Sequence, residues 1–292
     1  MLKIKKDLSP EEKKKILDEA WLGVQLDEKK LINPLLKIPP QLEENPHLYF
    51  LYLMTRPEYF SFACKEILNV EILPFQAVVL KNLWNHRFPM MVCSRGFSKT
   101  FMLAVYSLLQ MFLGRNRQIV VTGSAFRQSK LVFEYCERIW NNSPLLRDIF
   151  RGENQGPSHS TDSWNFRLGD NILRAIPIGT GEKIRGLRAN IVISDEFKSI
   201  NREVFESVVA GFTSVSSDVL NLVKQKASEK LAKLLNIEFE IDEELLKNNQ
   251  LIIAGTCDYS FNHFAEYHKK WREFIYSRGE KKELARIFGE DN

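Results

Sequence analysis

The chain has 292 residues, 44% of them hydrophobic and 27% charged, which is the composition of a folded globular protein and excludes a disordered, collagen-like or coiled-coil chain. Its 41 Lys and Arg residues exceed its 37 Asp and Glu residues by only four, so net charge neither requires nor excludes a nucleic-acid partner. The four cysteines are widely spaced, which argues against a disulfide framework and against a zinc site.

The amino-terminal segment is predicted to be a helical arm followed by a linker. Ser9-Pro10-Glu11-Glu12 combines a capping hydroxyl, a proline at the first helical position and a carboxylate at the third. Four of the 11 prolines fall within residues 33–46, which indicates extended chain. No apolar run of a signal peptide precedes the arm, which argues against secretion. We assign residues 1–47 to the arm and linker, and residues 48–258 to the main domain.

The main domain shows the pattern of an α/β protein with a mainly parallel central sheet. Short apolar segments rich in β-branched residues alternate with longer helical ones. An apolar helix is predicted over 101–113, which is too short for a bilayer span of about 20 residues. Helical sequence is expected in an insertion at about 214–250 and in a carboxyl-terminal segment, 259–292. The predicted strands are 89–93, 118–122, 190–194 and 251–254, with a hairpin over 164–168 and 172–178 adding an antiparallel edge.

Residues 94–100, Ser-Arg-Gly-Phe-Ser-Lys-Thr, connect the first predicted strand to the apolar helix. Such a loop directs backbone N–H groups and a helix N-terminus at one point, an arrangement suited to a polyphosphate. Lys99 is then expected on the β- and γ-phosphates and Thr100 on Mg²⁺. The two glycine positions of the P-loop pattern are occupied by Cys93 and Ser98. Taken alone, the segment is equally well explained as an ordinary strand-to-helix turn with a surface lysine.

A second element favours the phosphate-binding interpretation. An apolar strand ends in Asp195 and Glu196. In a nucleoside triphosphatase Asp195 would hold Mg²⁺ through water, and Glu196 would orient and deprotonate the attacking water. Either carboxylate alone is also explained as an acidic helix cap. The combination with Lys99 and Thr100 makes the triphosphatase interpretation the stronger one.

Two further positions are candidates for the same site. Thr256 follows the strand 251–254, where it is placed to sense the γ-phosphate or the water; capping of a following helix is the alternative. Gln76 follows Leu73-Pro74-Phe75, and its amide can both donate to and accept from an adenine edge. An exposed glutamine at a helix start is the competing explanation for Gln76.

Together these segments resemble the large terminase subunits, the DNA-packaging motors of tailed bacteriophages and related viruses. Five ordered matches are jointly far more specific than any one of them. Ser94-Arg95 with Lys99-Thr100 resembles the deviant Walker A of the family, Phe75-Gln76 its adenine-binding motif, residues 193–196 its Walker B, Gly255-Thr256 its coupling motif, and residues 184–190 its Arg-Gly segment.

The resemblance implies an additional-strand (ASCE) ATPase fold, in which the coupling strand lies between the Walker A and Walker B strands. It also implies ATP and Mg²⁺, with Arg95 contacting the phosphates. Arg185 is the candidate arginine finger that reaches the ATP of a neighbouring subunit, and Arg188 competes for that role; pairing of Arg185 with Glu182 is the structural alternative. Nucleotide binding falls to Gln76, Ser94, Arg95, Gly96, Phe97, Ser98, Lys99 and Thr100, catalysis to Glu196, Arg95, Arg185 and Thr256, and Mg²⁺ to Thr100 and Asp195. Ser98 in place of the usual glycine stiffens the loop, and Gly96 partly restores its flexibility.

The partners implied by the resemblance are double-stranded DNA, a portal protein, a small terminase subunit and further copies of the chain in a ring on the procapsid. The implied location is the host cell cytoplasm, transiently at the portal vertex, without a membrane. Complete family members continue into an RNase H-like nuclease. Because the carboxylates after Thr256 lie on helical sequence, we expect an ATPase domain with a helical lid over 259–292 and no nuclease. The alternatives are a helicase-like DNA-dependent ATPase and a non-hydrolysing assembly module.

Overall fold

The computed structural model describes residues 54, 56–114, 116–161, 163–177, 189–206, 249–256, 260 and 262–277. Several predictions lie outside these residues: the arm and linker over 1–47, almost all of the insertion over 214–250, and residues 278–292 of the predicted lid. Arg185 and Arg188 also lie outside them. The domain boundary near residue 48 stays a prediction.

The described chain is organised around a sheet of seven strands. Their order across the sheet is β1-β7-β6-β2-β5-β4-β3. From β1 to β5 all neighbours are parallel, and β5, β4 and β3 pair antiparallel. The strands are β1 Met90–Cys93, β2 Gln118–Gly123, β3 Gly156–His159, β4 Trp164–Leu168, β5 Asn171–Pro177, β6 Ile191–Ser194 and β7 Gln250–Thr256.

The mainly parallel sheet and its antiparallel edge are confirmed. The strand that ends in Thr256, β7, lies between β1 and β6, as the additional-strand fold requires. Two details differ from the prediction. β3 was not predicted, because Gly156 and Pro157 have low strand propensity. β7 begins at Gln250, inside the predicted insertion, because Gln250 pairs with Ile191 of β6 and its backbone N–H donates to Asn190 O at 2.8 Å.

Helices cover both faces of the sheet. The first five pack on one face around a large apolar core, in which α3 contributes the fully buried Leu103, Leu108 and Leu109. The other face packs against a one-turn helix, Phe197–Ser199, a short turn, Arg202–Val204, and the last helix. No described helix has the length and apolar character needed to cross a membrane. The helices are α1 Phe60–Leu68, α2 Pro74–Asn85, α3 Lys99–Leu113, α4 Phe126–Asn142, α5 Pro144–Ile149 and α6 His263–Ser277.

Candidate active site

The loop that joins β1 to α3, residues 94–98, is exposed along its whole length. Gly96 has a φ of +81°, and no atom lies within 4 Å of the position that a side chain would take there. Ser98, at the helix N-cap, has a φ of 58° and is therefore left-handed as well. The left-handed conformation costs a non-glycine residue about 1–2 kcal/mol. The position where the P-loop pattern has glycine thus keeps the glycine conformation in this chain, with serine in its place.

The same loop presents backbone donors to solvent. The N–H of Phe97 donates to Ser94 O at 3.4 Å, and the first helical bond runs from Met102 N–H to Ser98 O at 3.0 Å. Unpaired N–H groups at a helix N-terminus form an anion site. Within the described part of the chain, no hydrogen-bond acceptor is found for the backbone N–H groups of Gly96, Ser98, Lys99 and Thr100.

The structure brings the Lys-Thr pair and the two carboxylates together. The Lys99 ammonium donates to the Asp195 carboxylate and, at 2.9 Å, to Glu196 Oε1. Thr100 Oγ1 donates to the second carboxylate oxygen of Asp195 at 3.2 Å. Lys99 and Asp195 are only 7% and 2% exposed, whereas the Glu196 side chain is 29% exposed. The four residues that the sequence singled out therefore form one contiguous, largely buried cluster.

Electrostatics keeps Lys99 protonated in this cluster. Burial acts to lower its pKa, but the charge and hydrogen bonds of Asp195, followed by those of Glu196, outweigh that effect and leave the pKa raised. The ammonium therefore balances the buried carboxylate charge at neutral pH.

The chain turns sharply after β6, where the two carboxylates lie. The backbone N–H of Glu196 donates to the Asp195 carboxylate at 2.8 Å, and Glu196 has a φ of 49°. Glu196 and Ser98 are therefore both non-glycine residues in a left-handed conformation, one on each side of the Lys99 ion pair. Strained backbone of this kind is concentrated at functional sites.

Thr256 lies at the same edge of the sheet as the loop. It is the last residue of β7 and pairs with Cys93, the last residue of β1. The preceding residue, Gly255, allows α6 to approach closely, because a Cβ there would lie 3.0 Å from the Phe264 ring. Thr256 thus lies beside the start of the loop that joins β1 to α3, while its chemical role stays a prediction.

Gln76 and Phe75 have different surroundings. Gln76 is 4% exposed, and its Oε1 accepts the backbone N–H of Leu73 at 2.8 Å, which caps α2. The Phe75 ring lies 4.9 Å from the ring of Phe97 in the phosphate loop. The structure therefore gives Gln76 a capping role, and its contact with adenine stays a prediction. Arg95 is exposed, and we find no ion pair for it among the described residues.

The donor set of this cluster fits Mg²⁺. The Thr100 hydroxyl and the Asp195 carboxylate are adjacent hard oxygen donors, and Mg²⁺ is commonly bound through one or two carboxylates together with waters and phosphates. The ranges that the structure describes contain no group of three or more His, Cys, Asp or Glu side chains that could hold a metal without such extra ligands.

Sequence reasoning missed the residue that follows the carboxylates. Phe197 is fully buried, and its ring lies 4.9 Å from His263 and 5.4 Å from Tyr267, both on α6. His263 Nε2 also lies 3.1 Å from Phe197 O, where the ring N–H can donate. These contacts pack helix α6 directly against the segment that positions Glu196. An apolar residue after Asp-Glu was visible in the sequence, but its partners lie too far along the chain to be predicted.

The strand order and the Lys-Thr-Asp-Glu cluster are those of the additional-strand class of P-loop folds. No family model matches the sequence, and no curated protein matches it. Solved structures resemble it at low identity. The large terminase of bacteriophage HK97 is 15% identical, with a TM-score of 0.49 over 72% of this chain and 38% of that chain.

Two other terminase structures are also similar. The large terminase of a thermophilic bacteriophage is 12% identical, with a TM-score of 0.45 over 68% of this chain and 42% of that one. The ATPase domain of the Thermus phage P74-26 large terminase is 11% identical, with a TM-score of 0.38 over 77% of this chain and 95% of that domain. The chain thus spans 38% of the HK97 terminase and 42% of the terminase from the thermophilic phage.

Proposed function

We propose that this chain is an ATP-hydrolysing motor domain of the large terminase type, which couples hydrolysis to the movement of double-stranded DNA into a procapsid. The observation that supports the proposal most directly is the contact of Lys99 with Asp195 and Glu196 beside a loop of unpaired N–H groups. The terminase assignment within this ATPase class rests on the ordered sequence motifs, above all Arg95 in the loop.

Lys99 exchanges partners during the cycle. In the structure its ammonium neutralises buried carboxylate charge. When a nucleoside triphosphate enters, the phosphate oxygens replace the carboxylates as partners of Lys99, and the loop N–H groups and Arg95 bind the remaining phosphate charge. The exchange frees Glu196 for proton transfer.

Glu196 then acts as the general base. Its side chain is partly exposed, so water can reach it, and it follows Asp195 directly. It accepts a proton from the water while the water oxygen attacks the γ-phosphorus and the bond to the β-phosphate oxygen breaks. Thr100 and Asp195 would hold Mg²⁺, which supplies neutralisation of phosphate charge when bound.

The remaining partners follow from the sequence resemblance. They are double-stranded DNA, a portal protein, a small terminase subunit and further copies of the chain in a ring, in the host cytoplasm and at the portal vertex. Arg185, with Arg188 as competitor, is the proposed finger that completes a neighbour's site. An arginine finger supplied by a partner accelerates hydrolysis by several orders of magnitude, so an isolated subunit should turn over slowly.

Steady-state ATP hydrolysis with Mg²⁺ tests the proposal. Wild type is compared with Lys99→Ala and Glu196→Gln over a range of protein concentrations, with and without double-stranded DNA. Lys81→Ala is the matched control, because Lys81 pairs with Glu58 on the surface at 3.1 Å. We expect both site variants to lose turnover, the control to retain it, and the wild-type rate to rise faster than linearly with protein concentration. A wild-type chain that neither binds nor hydrolyses ATP would instead be a non-hydrolysing assembly module.

A further inference from the structure

The antiparallel edge of the sheet, β3, β4 and β5, has one face that lies away from the large apolar core; on that face Ile176 of β5 joins the smaller core cluster. Phe166 and Leu168 of β4, and Leu173 and Ala175 of β5, are fully buried on the side of the first five helices. Because successive side chains in a strand alternate between faces, the intervening residues point the other way. We call the opposite face of these three strands the wing face.

Two arginines occupy the wing face. Arg174 on β5 pairs with Asn165 on β4, and Arg167 on β4 pairs with Ile172 on β5, so the arginines are diagonal neighbours. Diagonal neighbours of an antiparallel pair are separated by about 7–8 Å. The third strand places Ser158 opposite Asn165, so this row of the wing face also carries neutral hydrogen-bonding side chains.

The two guanidinium groups repel each other, and within the described ranges no carboxylate forms an ion pair with either of them. Burial, and after it the charge of Arg167, lowers the pKa of Arg174. Among the described residues neither arginine has an ion pair, and Asp170 in the adjoining turn pairs with neither of them. Elsewhere on the described surface, Lys65, Lys81, Arg151 and Arg202 pair with carboxylates, whereas Arg95 does not.

A purely structural role for the arginines is the alternative. Their aliphatic stems can shield Ile172 and Ile176, which lie on the same face and are 5% and 6% exposed. That role needs the stems but not the guanidinium charges. A methionine in place of either arginine preserves the apolar stem and removes the charge, so the two roles can be separated.

We infer that the wing face binds the phosphodiester backbone of double-stranded DNA through Arg167 and Arg174. The inference rests on the proposed function and identifies the surface that contacts its DNA. Arginine is suited to this partner because its planar guanidinium makes paired hydrogen bonds to phosphate. A polyanion also relieves the repulsion between the two cations, which a neutral partner does not.

The wing face is separate from the nucleotide site. β5 is two places from β6, which ends next to Asp195, so the strands are about 10 Å apart at the usual spacing, and Arg174 is level through Val120 with Val192, three residues before Asp195. Substitutions on the wing face should therefore leave ATP turnover measured without DNA unchanged, and DNA binding can be tested independently of hydrolysis.

The test is fluorescence anisotropy of a labelled duplex of about 30 base pairs, titrated with the full chain at several salt concentrations between about 50 and 200 mM. The proteins are wild type, Arg167→Met, Arg174→Met and the double variant. Arg151→Met is the matched control, because Arg151 is exposed and pairs with Asp148 at 2.6 Å. Thermal unfolding checks that each variant is folded.

Each phosphate contact contributes about 0.9 to the slope of log K against log salt, so the double variant should lose about 1.8 in slope and bind about 60-fold more weakly near 0.1 M salt. The control should match wild type. A folded double variant with wild-type slope and affinity overturns the inference, as does an equal loss in Arg151→Met, and neither result affects the proposed hydrolysis.

Two further outcomes are decisive. If the double variant fails to fold, the exposed single variant Arg167→Gln decides alone: a slope reduced by about 0.9 supports the inference and an unchanged slope overturns it. If wild type hydrolyses ATP but does not bind the duplex, the inference fails together with the DNA part of the proposed function, while the ATPase part stands.

Discussion

Replacing Lys99 with methionine should destabilise the nucleotide-free protein as well as stop turnover. Asp195 is 2% exposed, so water cannot replace the ammonium that it loses. Removing one partner of a buried ion pair costs about 3–5 kcal/mol. Asp195 would keep its hydrogen bonds from Thr100 and from the Glu196 N–H, and Glu196 is partly exposed. We therefore expect the lower end of that range, about 3 kcal/mol.

The matched double variant removes both charges. Asparagine has the shape of aspartate, and in Asp195→Asn its amide oxygen can still accept the Glu196 N–H, while its NH₂ group can donate to Thr100 Oγ1. Lys99→Met/Asp195→Asn should therefore recover to within about 1 kcal/mol of wild type, although it remains inactive. Lys81→Met, which breaks only a surface pair, should cost less than about 1 kcal/mol.

Equilibrium urea unfolding without nucleotide measures these differences, provided that the m value is unchanged. The pKa of Lys99 is raised above its ordinary 10.5, so its stabilisation is fully present below that pH and is lost only above it. The deficit of Lys99→Met should thus be constant between about pH 7 and 9. A single variant as stable as wild type, or a double variant no more stable than the single one, would refute a structural role for the ion pair of Lys99 with Asp195.

Three other substitutions have defined outcomes. Glu196→Gln should lower ATP turnover at least about 100-fold. A fluorescent-nucleotide titration should show that nucleotide binding is retained or tightened, because Lys99 loses one competing carboxylate. Loss of nucleotide binding would contradict the assignment of Glu196 as the general base. Ser98→Gly should raise the free energy of unfolding in urea by about 0.5 kcal/mol, since relief of the left-handed strain slightly exceeds the entropy that glycine gains in the unfolded chain; a lower value would be inconsistent with the strain. Phe197→Leu should lower the free energy of unfolding by about 1–2 kcal/mol and lower the turnover rate without changing the KM for ATP. The control Phe88→Leu, at a residue that is 44% exposed, should change neither stability nor turnover. Equal effects of the two variants would show that the packing of Phe197 on α6 does not position Glu196.

The parts of the fold that the sequence predicts are those with strong local signals. The apolar strands, the turn before Asn171 and the Lys-Thr loop are all local patterns, and their ordered motifs also predict that β7 lies between β1 and β6. β3 escapes prediction because its four residues, Gly-Pro-Ser-His, form a strand only by pairing with β4. That strand is a tertiary effect with no local signal.

The candidate site shows the same division between local and distant information. The sequence predicts which residues meet, because the loop after β1, which leads to Lys99, and the end of β6, which leads to Asp195, lie at one edge of the sheet. It assigns Lys99 to phosphate, whereas the structure shows the ammonium on two carboxylates. The packing of Phe197 against α6 joins positions 66 residues apart, as the His263 contact shows, and no motif marks it.

The charge balance of the cluster around Lys99 indicates what a bound nucleotide would require. One ammonium faces two carboxylates, so the cluster of Lys99, Asp195 and Glu196 has a net negative formal charge. Under the proposed function, a triphosphate would bind once Lys99 turns from the carboxylates toward the phosphates. Thr100 and Asp195 would then hold Mg²⁺, and Arg95 and the N-terminus of α3, on the exposed side of the cluster, would bind phosphate charge. The turn of Lys99 would link nucleotide binding to release of Glu196, the group that the proposed reaction requires next.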